Sequence, residues 1–515
     1  MPESRLDIRE TEPRVIEIET ARVLARRPSH FAVLDIGSNS IRLVVYDDLS
    51  RAPFPRFNEK SLARLGAGYD AEGNFTEDAM ERATHAVRRF AAIAQAMGVE
   101  RLDAIATDAI RRAGNGAELL DRFRALGIEV RVLGGEEEAS FAGRGVISGF
   151  FQPRGLVGDI GGGSLDVAEV LGDRVGARKS SMPLGALPVT RMLEDGVKAA
   201  KKEVDAILEE GLPPLLTDPV FYAVGGGWRA LARVHIARTG HPISVVHGYE
   251  LPRKVAQSLA KEIAKMDPDE IAALDDVPSR RIDTTPAAAL VLWRVLKRLK
   301  PDRVVFSACG LREGWLYDQL SEEEQYRDPL LETAMAIGLP SARVPDFAAA
   351  LADWTEGLFP GETQGRRRLR LAACALTDLC WRDHQKIRDT EAYSRVLQFP
   401  FIGVRHAERV FLATVLRVRY GGKVDDVVEE AAKDLLSASD LRRAEILGRA
   451  LLLGHRFSAG VPDLLTKSRV RIDSEMVRLE ILDPGEVPDT DAIQSRVDKL
   501  AKSAKVSRAE IVEAD

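Results

Sequence analysis

Two short stretches of this chain put glycine, serine and aspartate where an anion could be held. Asp35 to Ser40 reads Asp-Ile-Gly-Ser-Asn-Ser and Asp159 to Ser164 reads Asp-Ile-Gly-Gly-Gly-Ser, each directly after an apolar run. Glycine lets successive backbone N–H groups converge on one point without a Cβ in the way, and phosphate is the natural guest. One such loop serves equally well as a tight turn. Two loops on the same Asp-Ile-Gly frame would clamp a phosphate chain from both sides. The candidate phosphate contacts are therefore Gly37, Ser38, Asn39 and Ser40 in the first loop and Gly161, Gly162, Gly163 and Ser164 in the second, with Gly225 and Gly226 from a third glycine run. A carboxylate beside bound phosphate repels it unless a cation lies between them. Asp35 and Asp159 are accordingly expected as metal ligands, for Mg2+ or alternatively Mn2+, although capping of the turn is a competing role.

A hydrolytic step also needs a carboxylate that can orient water and accept its proton. The run Gly135-Glu136-Glu137-Glu138-Ala139 offers three. As a helix N-terminus the same run would serve the helix dipole, and spacing does not choose among the glutamates. Arg111 or Arg112, just after a predicted strand, and Arg64 could neutralise phosphate charge, or could equally be surface arginines. His384, His406 and His455 show no metal-ligand spacing, and no Ser/His/Asp arrangement is present. Cys309, Cys374 and Cys380 form no Cys-x-x-Cys pair and are expected reduced and mostly buried.

The elements around these residues follow from hydrophobic period. Phe31 to Asp47 reads as strand, polar turn and second strand, and Gly155 to Leu171 repeats that pattern. Between them the spacing predicts a helix over Thr76 to Gly98, a strand at Leu102 to Thr107, a helix at Gly116 to Leu126, a strand at Glu129 to Leu133 and a helix from Glu136. Val220 to Val234 and Asp302 to Asp318 each read as strand, glycine and helix. The first half is thus two related α/β lobes. Beyond about Asp328 the period is helical until Arg469 to Leu482 alternates as strand, followed by a helix over Asp489 to Ala504. The expected divisions are a flexible or loosely docked N-terminal extension (1–28), lobe I (29–149), lobe II (150–328), a helical domain (329–450) and a small C-terminal α/β region (451–515).

With 515 residues and a net charge of −6, from 73 basic and 79 acidic side chains, the chain is not composed to coat nucleic acid. It lacks a long apolar run for a membrane span and a secretory apolar core, so the expected location is cytoplasmic. A local basic run, including Arg366, Arg367 and Arg368, could form a track for a polyanion or simply a set of solvated helix faces.

The sequence resembles the exopolyphosphatase and guanosine pentaphosphate phosphohydrolase family of the actin-like ATPase superfamily. The resemblance rests on DIGSNS at Asp35, ATDAIR ending at Arg111, the G-x-E-E-A element at Gly135 to Ala139 and DIGGGS at Asp159. It extends to SMPLGA at Ser181 to Ala186, AVGGGWRAL at Ala223 to Leu231 and GLREG at Gly310 to Gly314. It implies paired actin-like, ribonuclease-H-like lobes with the active site between them, a helical HD-like domain and a small C-terminal α/β appendage. It also implies Glu137 as the catalytic glutamate, Arg111 lining the cleft and a homodimer. The implied substrate is inorganic polyphosphate, with guanosine pentaphosphate, or a polyphosphate or nucleotide sensing role without turnover, as alternatives. Regulation by guanosine tetraphosphate stays open. Two departures touch nucleotide contacts: Arg281-Ile-Asp-Thr-Thr-Pro stands where relatives carry a glycine, and GGGW replaces a Gly-Thr type turn. Leu376-Thr377-Asp378 lacks an adjacent His-Asp pair, so no second catalytic metal site is expected there.

Overall fold

The computed structural model describes residues 16–27, 29–214, 220–483 and 491–513. They form two compact units, one of residues 27–325 and one combining the N-terminal segment with residues 326–515.

The 27–325 unit contains the repeat as a repeat of topology. In its first sheet, β1 (Phe31–Ile36), β2 (Ile41–Tyr46) and β3 (Pro55–Ser61) form an antiparallel meander, and β4 (Arg101–Ala106) and β5 (Val130–Val132) extend it parallel to β1, in the order β3-β2-β1-β4-β5. In the second, β6 (Arg154–Ile160), β7 (Leu165–Leu171) and β8 (Arg174–Met182) repeat the meander. Then β9 (Val220–Val224) runs parallel to β6, and β10 (Tyr249–Pro252) and β11 (Arg303–Phe306) complete the order β10-β11-β9-β6-β7-β8. The registers coincide: Asp35 faces Arg42 across β1 and β2, and Asp159 faces Asp166 across β6 and β7. Both turns close with the same bond, Gly37 N–H to Ser40 O (3.0 Å) and Gly161 N–H to Ser164 O (2.9 Å). β1 and β6 are buried along most of their length because each is covered on both faces, as expected for continuous apolar runs at a sheet centre.

The helix predicted from Thr76 spans Glu77–Ala96, with the Thr76 side chain accepting from Ala79 N–H as its N-cap. The helix Gly135–Gly149 is crossed closely by Leu311–Asp318, since a Cβ at Gly145 would overlap the backbone of Gly310, the N-cap of the second helix, and one at Gly314 would overlap Phe141 O. The buried guanidinium of Arg51 donates to Ser148 O (2.8 Å) and satisfies the C-terminal end of Gly135–Gly149.

The second unit is helical from Pro329–Gly338 through Ala438–Ser458. It closes with β12 (Ser468–Ile472), β13 (Met476–Ile481) and β14 (Arg508–Glu513), the helix Asp491–Ala504 leading into β14. Two expectations are corrected here and one is narrowed. The division at 450 falls inside the continuous helix Ala438–Ser458. Within the extension read as flexible or loosely docked, Thr20–Ala25 is a docked helix: Arg22 and Arg26 pair with Glu332, and Arg327 Nη1 donates to Glu19 Oε2 (2.6 Å). Residues 1–15 and 28, and positions 489 and 490 of the predicted last helix, lie outside the described residues.

The second correction is to the basic track. Arg368 is fully buried and donates to Asp328 Oδ2 (2.5 Å), the N-cap carboxylate of Pro329–Gly338. Arg366 pairs with Asp440 (3.1 Å), and Arg367 Nη1 donates to Ile16 O (2.8 Å). Arg370, Arg409, Arg417 and Arg419 are buried as well, on carboxylates or carbonyls. Burial of a guanidinium demands such partners, so this part of the run is internal structure.

Candidate functional site

A cavity of about 230 Å³ opens in the 27–325 unit, and twelve of the predicted residues line it: Asp35, Gly37, Ser38, Asn39, Ser40, Asp159, Gly161, Gly162, Gly163, Ser164, Gly225 and Gly226. The two hairpin turns approach one another there. A Cβ on Gly162 would stand 3.1 Å from Ser38 Cβ, and one on Gly163 would overlap the Asp108 carboxylate. These are the positions where close approach, and not turn conformation, demands glycine. Among the described residues the backbone N–H groups of Ser38, Asn39, Gly162 and Gly163 donate to no protein acceptor. They are available to an anion in the cavity.

The cavity's charged groups differ between its halves because the repeat is chemically asymmetric. On the lobe I side, Arg42, opposite Asp35, supplies a cation, and Lys60 lies on the neighbouring strand. On the lobe II side, Asp166, opposite Asp159, supplies a second carboxylate, which accepts from Ser164 Oγ (2.8 Å) and Ser181 Oγ (2.5 Å). Arg229, Arg281 and Arg312 add positive charge. Arg312 Nη1 donates to Asp35 Oδ2 (3.2 Å). Burial, followed by the charge of Arg312, lowers Arg42 to about 10, and burial and then Arg312 lower Arg229 as well. Crowded cations of this kind are relieved by a polyanion.

Asp159 is pushed up to about 7 by burial and then by the negative charge of Asp166. Asp35 is raised by burial, against the opposing pull of Arg312. The Asp159 carboxylate accepts no hydrogen bond among the described residues, and a Cβ on Gly225 or Gly310 would come within 3.0 and 3.2 Å of its oxygens. A recessed carboxylate without donors is an environment that a cation would stabilise. No group of three or more His, Cys, Asp or Glu side chains converges as a metal cage among the described residues. The donor set therefore fits Mg2+ or Mn2+ held by one or two carboxylates and completed by water and phosphate oxygens.

The structure places the candidate glutamates differently, and Glu137 does not face the cavity. Glu137 accepts from Gly134 N–H (2.8 Å) and from Arg131 Nη2 (2.7 Å), is nearly half exposed, and is absent from the cavity wall. Those two bonds, the backbone one first, lower its pKa. Glu138 is 5% exposed and lines the cavity. Arg111 Nη1 donates to its Oε1 (2.6 Å), so Arg111 stands behind the carboxylate instead of on the cavity surface. Burial first, and Asp166 second, raise the Glu138 carboxyl well above the ordinary range. Arg64 is exposed, and its N–H donates to Asn39 O (3.1 Å), so it braces the first loop through backbone.

Sequence reasoning missed Arg42, Asp108, Asp166, Arg229 and Arg312. For Arg42 and Asp166 a signal existed: a two-residue-period hairpin closed around four turn residues places them opposite Asp35 and Asp159. Arg312 sits inside the GLREG motif, where only tertiary packing reveals that it reaches Asp35.

A match to the Ppx/GppA phosphatase family covers residues 44–323, and one to the exopolyphosphatase C-terminal domain family covers 330–512. Exopolyphosphatase 1 of Mycobacterium tuberculosis is 31% identical over 314 residues, 56% of this chain and 88% of that protein. A Vibrio cholerae protein named guanosine-5'-triphosphate,3'-diphosphate pyrophosphatase is 26% identical over 459 residues, 85% of this chain and 89% of its own. The crystal structure of the Aquifex aeolicus family member superposes with a TM-score of 0.50 at 25% identity, covering 57% of this chain and all of that one.

Proposed function

This chain belongs to the Ppx/GppA phosphatase family, and from that premise we propose that it is an exopolyphosphatase, releasing orthophosphate from the end of inorganic polyphosphate. One observation carries the reading: two glycine loops with unpaired backbone amides face each other across a cavity that also holds the buried carboxylate Glu138.

The loop amides and Arg42, Arg229 and Arg312 bind and orient the chain end, spreading its negative charge over many donors. Glu138 orients the attacking water. As the water oxygen bonds to the terminal phosphorus and the bridging P–O bond breaks, Glu138 takes one proton and later returns it to solvent. The shortened chain leaves with the bridging electron pair, its charge met by the loop N–H groups. Positioned proton transfer of this kind contributes roughly 10²–10⁴-fold in rate. Arg111 holds the Glu138 carboxylate and keeps enough of it ionised to act as base. Mg2+, or Mn2+ in its place, held by Asp159 and Asp35 would neutralise phosphate charge when bound. A homodimeric, cytoplasmic protein belongs to the same reading. Among the described residues no helix is long and apolar enough to cross a membrane.

A second substrate is favoured by one observation, the Vibrio cholerae relative that matches 85% of this chain and is named for guanosine pentaphosphate chemistry. Phosphate release from long polyphosphate, guanosine pentaphosphate and ATP separates the two. Faster turnover of polyphosphate supports the proposal, and release from guanosine pentaphosphate alone would reject it.

A further inference from the structure

Buried guanidiniums of the helical unit such as Arg368 and Arg409 rest on a carboxylate or a carbonyl. Three arginines near the end of the unit are placed differently. Arg449 and Arg456 stand on the helix Ala438–Ser458 two turns apart, about 10 Å along its axis, and so share one side of it. The helix Asp491–Ala504 packs against this helix and carries Arg496. Arg496 lies close to both: burial first, and then the charges of Arg456 and Arg449, hold its guanidinium below its ordinary value.

Counter-charge is scarce around them. Arg449 is 17% exposed yet makes no hydrogen bond among the described residues. Its ion pair with Glu445 is 3.6 Å long, and its Nε is buried without an acceptor. Among the described residues neither Arg456 nor Arg496 has a hydrogen-bond or ion-pair partner. No position three or four residues from Arg456 or Arg496 carries a carboxylate, so neither helix neutralises them locally. Three guanidiniums therefore share the single carboxylate of Glu445.

Like charges packed side by side repel, and a buried N–H without an acceptor is costly. An oxyanion relieves both, because the planar guanidinium fork matches phosphate oxygens. The separation of Arg449 from Arg456 suits phosphates in series better than one phosphate alone. We propose that Arg449, Arg456 and Arg496 form a second anion site, in the helical unit, for a ligand bearing several linked phosphates. An inner stretch of a polyphosphate chain and a free polyphosphorylated nucleotide share that chemistry. The site uses none of the residues of the cavity in the 27–325 unit, and it stands whether or not that cavity hydrolyses its ligand.

The test compares the full-length parent with the double variant Arg456→Gln, Arg496→Gln, using tripolyphosphate as the probe in EDTA. Calorimetry counts the sites, and hydrogen exchange reports on the two helices. The parent is expected to bind tripolyphosphate at the cavity and at this site, with slowed amide exchange in Asp491–Ala504. The double variant should keep the cavity site and lose that protection, its affinity at this site falling roughly tenfold or more, the scale of lost charge-assisted contacts. Its ligand-free Tm should equal or exceed the parental value, because a repulsion has been removed. A lower ligand-free Tm, as a purely structural role would give, or protection unchanged by the substitutions, overturns the proposal. Long-chain polyphosphate and guanosine tetraphosphate, each added alone to the parent, separate the two sources: the one that reproduces the protection is the ligand, and protection by neither overturns the site. A parent that binds here but releases no phosphate contradicts the hydrolytic reading alone.

Discussion

Asp159→Asn should stabilise the metal-free protein, and the gain should depend on pH in a defined direction. The Asp159 carboxyl titrates near 7 in the fold against an ordinary 3.8, because burial and Asp166 disfavour its charge. Below 3.8 both folded and unfolded chains hold the proton, and the site costs nothing. Between 3.8 and 7 the unfolded chain releases the proton while the folded one retains it, so stability falls as pH rises. Above 7 the full cost is present, about 4 kcal/mol at about 1.4 kcal/mol per pH unit. At pH 5 it is about 2 kcal/mol. A unit of about 300 residues unfolds with an entropy near 0.6 kcal/mol/K, so Asn should raise Tm by about 7 °C at pH 8 and about 3 °C at pH 5. Differential scanning calorimetry in EDTA measures both. Adding Mg2+ should raise the parent Tm at pH 8 and leave the Asn variant where EDTA left it. An equal gain at the two pH values, or a loss at pH 8, would refute the electrostatic account of this carboxylate. A parent indifferent to Mg2+ would refute its role as a ligand.

Three further outcomes follow from the same geometry. Because Glu138 must be ionised to act as base and burial raises its pKa, kcat/KM should fall with decreasing pH at a midpoint above the usual carboxylate range. Arg111→Met, which removes the partner opposing that shift, should move the midpoint higher still. Gly163→Ala forces a methyl group into the Asp108 carboxylate, and phosphate release should drop at least tenfold, mainly through KM, with Tm lowered by only a few degrees. Arg51→Met leaves Ser148 O without its buried donor and should cost about 1–3 kcal/mol in stability by chemical denaturation, with kcat reduced because the helix carrying Glu138 loses its C-terminal anchor.

The loops were legible because a strand, an Asp-Ile-Gly frame and a polar turn repeat within one chain, and equal local sequences fold into equal hairpins. Choosing between Glu137 and Glu138 needs the phase of a helix relative to a cleft. Gly134 is the N-cap, so Glu137 stands at the third helical position and folds back onto Gly134 N–H. The next residue, turned about 100° further round the helix, faces the cavity. The family resemblance did not supply that phase. Arg368 was illegible for a related reason: a guanidinium reads as surface until the buried Asp328 that neutralises it is known. The division at 450 failed because packing carries the helix Ala438–Ser458 through Gly448 and Gly454, with Ala450 and Leu451 buried between them.

The central claim is that this cavity hydrolyses a phosphoanhydride with Glu138 placing the water. Phosphate release from polyphosphate by Glu138→Gln and Glu137→Gln proteins, each at saturating Mg2+ and with parental folding verified by Tm, tests it most directly. The account predicts a loss of roughly 10²–10⁴-fold in kcat for Glu138→Gln and a near-parental rate for Glu137→Gln. A Glu138→Gln protein at the parental rate, or a Glu137→Gln protein that alone is inactive, would contradict it.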